Sequence, residues 1–347
     1  MTPRFRLLTP DGQYADDGLI ERETAGTDVH WDIFRERTRS LERIPAALLA
    51  EADALVIWHE VQIDQDFVDR LTRCRVIVRA GVGFDHVDLA ATGRAGIPVC
   101  NTPDYGTSEV ADHAIALMLA LSRGIIGYHD ALRADPVANF DSTRAPLVRR
   151  LRGRTFGVLG LGRIGIATAL RAKAFGYHLI AYDPYASPGT EIAVGVERVT
   201  TLDELLSRSD VLSLHAPLTD ETRNIINAQA LSHMKRDAVL INTARGALIN
   251  IPDLLAALEA GTIAGAGIDV LPIEPPLADD PFVAAYRALE NSSLAGRFIV
   301  TPHAAWSSPE SRADARRLSV ETAMLYLREN RLRNLVNGEF LDRSKQR

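Results

Sequence analysis

Between Thr155 and Gly176 the chain reads TFGVLGLGRIGIATALRAKAFG, and this stretch constrains the fold more than any other. TFGVL has the length and composition of a buried strand. Three glycines follow as Gly160-x-Gly162-x-x-Gly165, and IATALRAKAFG then reads as a helix. Such glycines also serve ordinary turns; the strand before them and the helix after them give the spacing its meaning. Gly160 permits the tight turn, Gly162 lets the backbone approach a pyrophosphate, and Gly165 lets helix pack on strand. The helix N-terminus then faces the anion. The next strand-like run, HLIAYD, ends in Asp183. A carboxylate there accepts both ribose hydroxyls and repels a 2′-phosphate, so the expected cofactor is NAD(H) rather than NADP(H).

Strand–helix–strand units of this kind build parallel sheets, and the chain carries two series of them. The first comprises FRLL (5–8), ALVIW (54–58), RVIV (75–78) and IPVC (97–100). The second comprises TFGVLG (155–160), HLIAYD (178–183), DVLSLH (210–215), AVLINT (238–243), AGAGIDV (264–270) and FIVTP (298–302). Thr201 to Glu204 reads as a capping box, Asn250 as the cap of a helix stopped by Gly261, and Ser308–Pro309 as the start of a helix to about 330. The Pro-rich LPIEPPLADDP (271–281) reads as a loop. An apolar helix over 108–123 leaves the first series for the second, and the final helix follows the second. The expected fold is therefore α/β, with two Rossmann-like or flavodoxin-like parallel-sheet domains. The cofactor domain (106–304) is inserted into a discontinuous substrate domain (1–105 and 305–347), and the cleft between them is the expected binding site.

The 347 residues carry a formal charge of −6 and no long basic block, which argues against direct nucleic-acid binding. Cys74 and Cys100 lie in strand-like runs and read as buried free thiols of a reducing compartment. The start MTPRFRLLTP has no apolar signal region, and the longest apolar stretch, AIALMLAL, is far too short for a bilayer. A cytoplasmic protein without membrane association is expected. The sequence shows no zinc, calcium or other metal-ligand pattern.

Three strand ends of the second series carry polar groups: Arg245 in INTARG, Asp269 and Glu274 in GIDVLPIEPP, and His303 in FIVTPHAAW. Carboxyl ends of parallel strands face one crevice, so these groups can converge. Arg245 can grip a carboxylate and the neighbouring C2 oxygen with its planar fork. His303 can exchange the hydroxyl proton, and Glu274 bonded to it would favour the imidazolium.

Six motifs in one order, RAGVGFDHVDL, RGRTFGVLGLGRIG, LHAPLT, INTARG, GIDVLPIEP and TPHAAW, resemble the D-isomer-specific 2-hydroxyacid dehydrogenases over nearly the whole chain. The resemblance implies that Arg245, Glu274 and His303 are the catalytic trio of a dehydrogenase or 2-oxoacid reductase. It implies that the backbone of Gly81, Val82 and Gly83 receives the substrate carboxylate, and that Asp269 contacts the nicotinamide amide. The expected cofactor contacts further include Gly160, Gly162, Arg163, Ile164, Gly165, Asp183, His215, Pro217, Thr222, Thr243 and Ala244. RAKAFGYHLIAYDPY, HAAW and LVNGEF are similar to the C-terminal binding proteins, NAD(H)-binding corepressors. That likeness implies that Arg79 and Trp306 line the substrate pocket. His59 in WHE is a further candidate for it. It also implies an alternative reading, an NAD(H)-sensing protein that binds partners. No long tail follows the core, which favours a metabolic enzyme on a small 2-oxo or 2-hydroxy acid. Phosphite is another substrate compatible with the trio, whereas formate dehydrogenases carry glutamine where Glu274 stands. The family pairs subunits through the helix matching 108–123, implying a homodimer.

Overall fold

The structure, a computed structural model, describes residues 4–35, 43–289, 292–342 and 344. It divides into two compact units, Met1–Gly106 with Ser307–Arg347, and Thr107–Trp306. In the first, β1 (Phe5–Thr9), α1 (Leu19–Ala25), β2 (Val29–Ile33), α2 (Ala46–Glu51) and β3 (Ala54–Ile57) come first. They are followed by α3 (Gln65–Val68), β4 (Val76–Arg79), α4 (Leu89–Arg94) and β5 (Val99–Asn101). The five strands form a parallel sheet in the order β2-β1-β3-β4-β5, the flavodoxin-like arrangement. Leu8, Leu55, Ile57, Ile77 and Val99 pack with Leu49, Phe67 and Leu71 into one core.

The second unit opens with α5 (Thr107–Ser122) and α6 (Ile125–Ala134), then β6 (Thr155–Leu159), α7 (Arg163–Ala174), β7 (His178–Tyr182) and α8 (Thr190–Val194). It continues through β8 (Glu197–Arg198), α9 (Leu202–Arg208), β9 (Val211–Leu214), α10 (Ala228–His233) and β10 (Val239–Asn242). A 3₁₀ turn (Gly246–Leu248), α11 (Ile251–Glu259), β11 (Gly265–Ile268), α12 (Pro281–Arg287) and β12 (Phe298–Val300) complete it. Its seven strands run parallel in the order β12-β11-β10-β9-β6-β7-β8, so the order reverses between β6 and β9. Both faces are covered, which is why the strands read as continuous apolar runs. Leu212, Leu214, Leu240 and Ile268 face one core; Val211, Val239 and Ile241 face the other. The second core also takes Ala114, Ile115, Leu117, Met118 and Leu121 of α5, so the apolar pattern of that helix is used inside its own unit. No residue of α6 is buried.

The chain returns to the first unit as α13 (Pro309–Glu329). Asn250 and Ser308 cap their helices through Asp253 N–H and Ser311 N–H, and Ser311 answers Ser308 reciprocally. At Thr201 the box is displaced by one residue. Its hydroxyl accepts from Glu204 N–H, but the Glu204 carboxylate accepts from Thr200 N–H. The Pro-rich loop ends early, because Pro281 opens α12 behind the Asp280 cap. Cys74 and Cys100 are buried and free. Among the described residues no single helix is long and apolar enough to cross a membrane, and no metal-ligand cluster occurs.

Candidate active site

The glycine loop lies where the strand order of the second unit reverses. Gly160 has φ +92°, a conformation that L side chains rarely adopt, and a Cβ on it would stand 2.7 Å from Ala216 N. A Cβ on Gly165 would stand 2.1 Å from the Gly160 carbonyl oxygen, so only glycine lets α7 sit this close to the turn. A Cβ on Gly162 would meet nothing within 4 Å. That is the open approach a pyrophosphate needs beside the N-terminus of α7, where Arg163 is exposed and Ile164 half-buried.

Asp183, just past β7, ties this corner together. One of its carboxylate oxygens accepts from Leu161 N–H (2.8 Å) and the other from Tyr185 and Ala186 N–H (2.9 and 3.0 Å). On the far wall, His215 pairs its Nε2 with Ser213 Oγ at 2.8 Å. The residue is half-buried, and burial of its ring pushes its pKa down to about 3, so it stands neutral. Thr222 donates from its hydroxyl to the Pro217 carbonyl (2.7 Å), closing the loop that follows. Thr243 Oγ is buried without a hydrogen-bond partner. An orphaned hydroxyl and an open glycine face suit a dinucleotide lying along this edge.

Three adjacent strands end together: Asn242 pairs with Ile268, which pairs with Val300. The groups that follow them are Thr243–Arg245, Asp269 and Thr301–His303. Asn242, fully buried, folds the first turn by accepting from Ala244 N–H and donating to the Arg245 carbonyl. Arg245 then donates to the Ala244 carbonyl at 2.8 Å. A Cβ on Gly246 would lie 1.9 Å from the Leu271 carbonyl carbon, so the arginine turn rests directly on the loop that carries Glu274. Glu274 uses one oxygen to hold that loop, through Leu271 N–H at 2.7 Å, and the other to meet His303 Nδ1 at 2.6 Å.

His303 is one of four non-glycine residues with positive φ (+52°) among those described. A left-handed residue costs roughly 1–2 kcal/mol, so its surroundings must hold it. Asp269 does so. Its carbonyl accepts from His303 N–H (2.7 Å), and its buried carboxylate accepts from Ala304 and Ala305 N–H, both at 2.9 Å. Thr301 adds its hydroxyl to Asp269 Oδ1 at 2.5 Å. A threonine has a single hydroxyl hydrogen. Given to the carboxylate, it leaves Thr301 Oγ an acceptor toward His113 Nε2, 2.9 Å away, so His113 carries its proton on Nε2. Hydrogen bonds thus run from His113 through Thr301 to Asp269. The sequence marked none of this for His113, because its partner is 188 residues away. Trp306 follows the turn and is half-buried.

In the first unit, Arg79 ends β4 and is buried, donating to the Ala80 carbonyl at 2.6 Å. Its guanidinium lies across Gly81, where a Cβ would be 1.4 Å from Nη1. Asn101 and Thr102 brace this loop, with Asn101 Nδ2 donating to the Val82 carbonyl and Thr102 N–H to that of Gly81. Val82 and Gly83 keep partial exposure. His59 is hydrogen-bonded to Gln13.

A match to the D-isomer specific 2-hydroxyacid dehydrogenase, NAD binding domain, covers residues 115–305, more than half of the chain. The chain belongs to this family. As a member of the D-2-hydroxyacid dehydrogenases, it carries a nicotinamide dinucleotide-binding domain in its second unit. It is 36% identical over 332 residues, 96% of its length, to a D-3-phosphoglycerate dehydrogenase of Methanocaldococcus jannaschii (strain ATCC 43067 / DSM 2661 / JAL-1 / JCM 10045 / NBRC 100440). It is 37% identical over 281 residues, 80% of its length, to C-terminal-binding protein 1 of Caenorhabditis elegans. It spans 59% and 38% of those two relatives. Among solved structures, D-lactate dehydrogenase from Aquifex aeolicus, complexed with NAD and lactic acid, is 29% identical with a TM-score of 0.81, over 96% of this chain and 99% of that one.

Proposed function

We propose that this dehydrogenase-family chain interconverts a D-2-hydroxy acid and its 2-oxo acid with NAD(H). The observation that carries the reading is the 2.6 Å Glu274–His303 pair, built beside Arg245 at the strand ends of the dinucleotide-binding unit. Bound nicotinamide supplies or accepts the hydride at C2. With Nδ1–H given to Glu274, neutral His303 keeps its lone pair on Nε2 and takes the hydroxyl proton during oxidation. The doubly protonated ring returns that proton during reduction, and Glu274 stabilises its charge. Arg245 holds the C1 carboxylate and polarises the C2 oxygen with its forked donors. The backbone at Gly81–Gly83 and the side chain of Arg79 support a substrate-domain role for the first unit, while Trp306 follows the His303 turn in the second. Asp269, expected from the sequence to contact the carboxamide, is enclosed, with its carboxylate given to Thr301 and to the Ala304 and Ala305 N–H groups, so its part in this reading is to hold the His303 turn. Asp183 selects NAD(H) by repelling a 2′-phosphate.

The test is NADH oxidation with a panel of 2-oxo acids, in wild type and His303→Ala. General acid–base catalysis contributes roughly 10²–10⁴-fold, so turnover should fall by that factor. Residual activity within tenfold of wild type refutes the proton-transfer role. The likeness to C-terminal-binding protein 1 favours a second reading, nucleotide-gated partner binding. Tight NADH binding with no turnover on any acid would decide for it. A homodimer is also proposed. The apolar pattern of α5 is used internally, so α6, which has no buried residue and is followed by the exposed Val137 and Phe140, is its better support.

A further inference from the structure

Strand order puts three loops side by side at one edge of the second unit's sheet. β6 lies between β7 and β9, so the glycine loop is flanked by the loop after β7, which carries Asp183, and the loop after β9, which carries His215. Gly160 meets both neighbours. Its N–H donates to the Tyr182 carbonyl (3.0 Å), and a Cβ on it would collide with the His215–Ala216 peptide. In sheets of this kind the pyrophosphate rests on the glycine loop and the adenosine ribose at the acidic residue after the next strand, here Asp183.

One side-chain contact joins the two flanking loops. The Tyr185 hydroxyl donates to Glu221 Oε2 at 2.5 Å, across 36 residues of sequence. Both ends are firmly mounted. Tyr185 N–H is held by the Asp183 carboxylate (2.9 Å), and Arg198 fixes the same turn by donating to the Asp183 carbonyl (2.9 Å). Glu221 sits between Thr219 and Thr222, whose backbones and hydroxyls bond each other at 2.8 and 3.3 Å. The N–H groups of Asn224 and Ile226 then tie this loop to the Ala247 and Leu248 carbonyls. The hydrogen bond to Glu221 also pushes the phenol pKa up, so Tyr185 stays the donor at neutral pH.

Core packing does not account for the pair. Tyr185 is 77% exposed, and Glu221 is exposed as well. Fixing an exposed tyrosine at both ends costs side-chain freedom and buries little apolar surface in return. We propose that Tyr185 and Glu221 form a clasp that retains the adenosine half of the dinucleotide and so sets how long the cofactor stays bound. The proposal rests on cofactor binding by the second unit and holds whichever acid is the substrate.

The experiment follows NADH release by stopped-flow fluorescence in wild type, Tyr185→Phe, Glu221→Ala and the double variant. ADP-ribose and reduced nicotinamide mononucleotide probe the two halves of the cofactor separately. An exposed charge-assisted pair contributes modestly, so each single variant should release NADH about two- to fivefold faster and bind ADP-ribose weaker by a similar factor. The mononucleotide, which has no adenosine, should keep its affinity. The double variant should release NADH no faster than the faster single one, because both side chains act through one bond. Unchanged or slower release, losses that multiply in the double variant, or an equal loss for the mononucleotide overturns the proposal.

Discussion

Replacing Thr301 by valine keeps the shape of the side chain and removes one hydroxyl. In the structure that hydroxyl is a donor to the buried Asp269 carboxylate at 2.5 Å and the acceptor for His113. A hydrogen bond to a charged group contributes about 1.5–3 kcal/mol, and water cannot replace this one because Asp269 is 1% exposed. His113 keeps a quarter of its side-chain surface exposed, so its N–H can turn to solvent at little cost. The expected loss of stability is therefore about 2–3 kcal/mol. The same carboxylate holds Ala304 and Ala305 N–H around the left-handed His303, so part of the loss appears in catalysis. At about 1.4 kcal/mol per decade, kcat/KM should fall roughly 10- to 100-fold. Urea unfolding and initial rates measure the two effects. Thr301→Ser, which keeps the hydroxyl, should recover most of the rate. A valine variant with wild-type stability and rate would refute the anchoring argument, and so would a serine variant as impaired as the valine one.

Alanine at Gly165 forces a methyl against the Gly160 carbonyl and should destabilise by roughly 1–3 kcal/mol in urea melts. Alanine at Gly162 meets open space, so stability should stay within about 0.5 kcal/mol while NADH affinity, followed by fluorescence, drops; equal melts for both variants would contradict the packing assignment. His215, held down at about 3 by burial, binds its proton far more readily unfolded, where its pKa is about 6.5. Its contribution is complete above that value and is lost as pH falls toward 3, amounting to about 2 kcal/mol at pH 5. His215→Gln should lose correspondingly less stability than wild type between pH 7.5 and 5, and parallel losses would rule out His215 as the source.

The glycine loop and the strand ends were legible because both are local patterns, in which a short stretch carries its own turn, strand and helix signals. β2 was not. VHWDI has one buried residue, Trp31, and lies at the sheet edge, where nothing demands a continuous apolar run. β8 is two exposed residues. The braces escaped for a different reason. Asp11, Asn101 and His113 act through partners on other segments, and their neighbours in sequence give no hint of them. Asn242 alone had a local signal, a short polar side chain at a strand end where it can cap its own turn. A cavity of about 700 Å³ in the first unit, lined by the 12–16 loop, Arg35, Trp58, Arg312 and Arg316, combines four separate segments and is visible only once the sheet order is known.

Asp269, Glu274, Thr301 and His303, with the Asn242 turn and Gly246 beneath them, all belong to the continuous stretch 107–306, while the arginine-lined cavity belongs to the flanking pieces. This hydrogen-bonded cluster is thus written in one continuous part of the gene. Drift in the flanks can leave it intact, and an engineer can regraft the flanks without redesigning it.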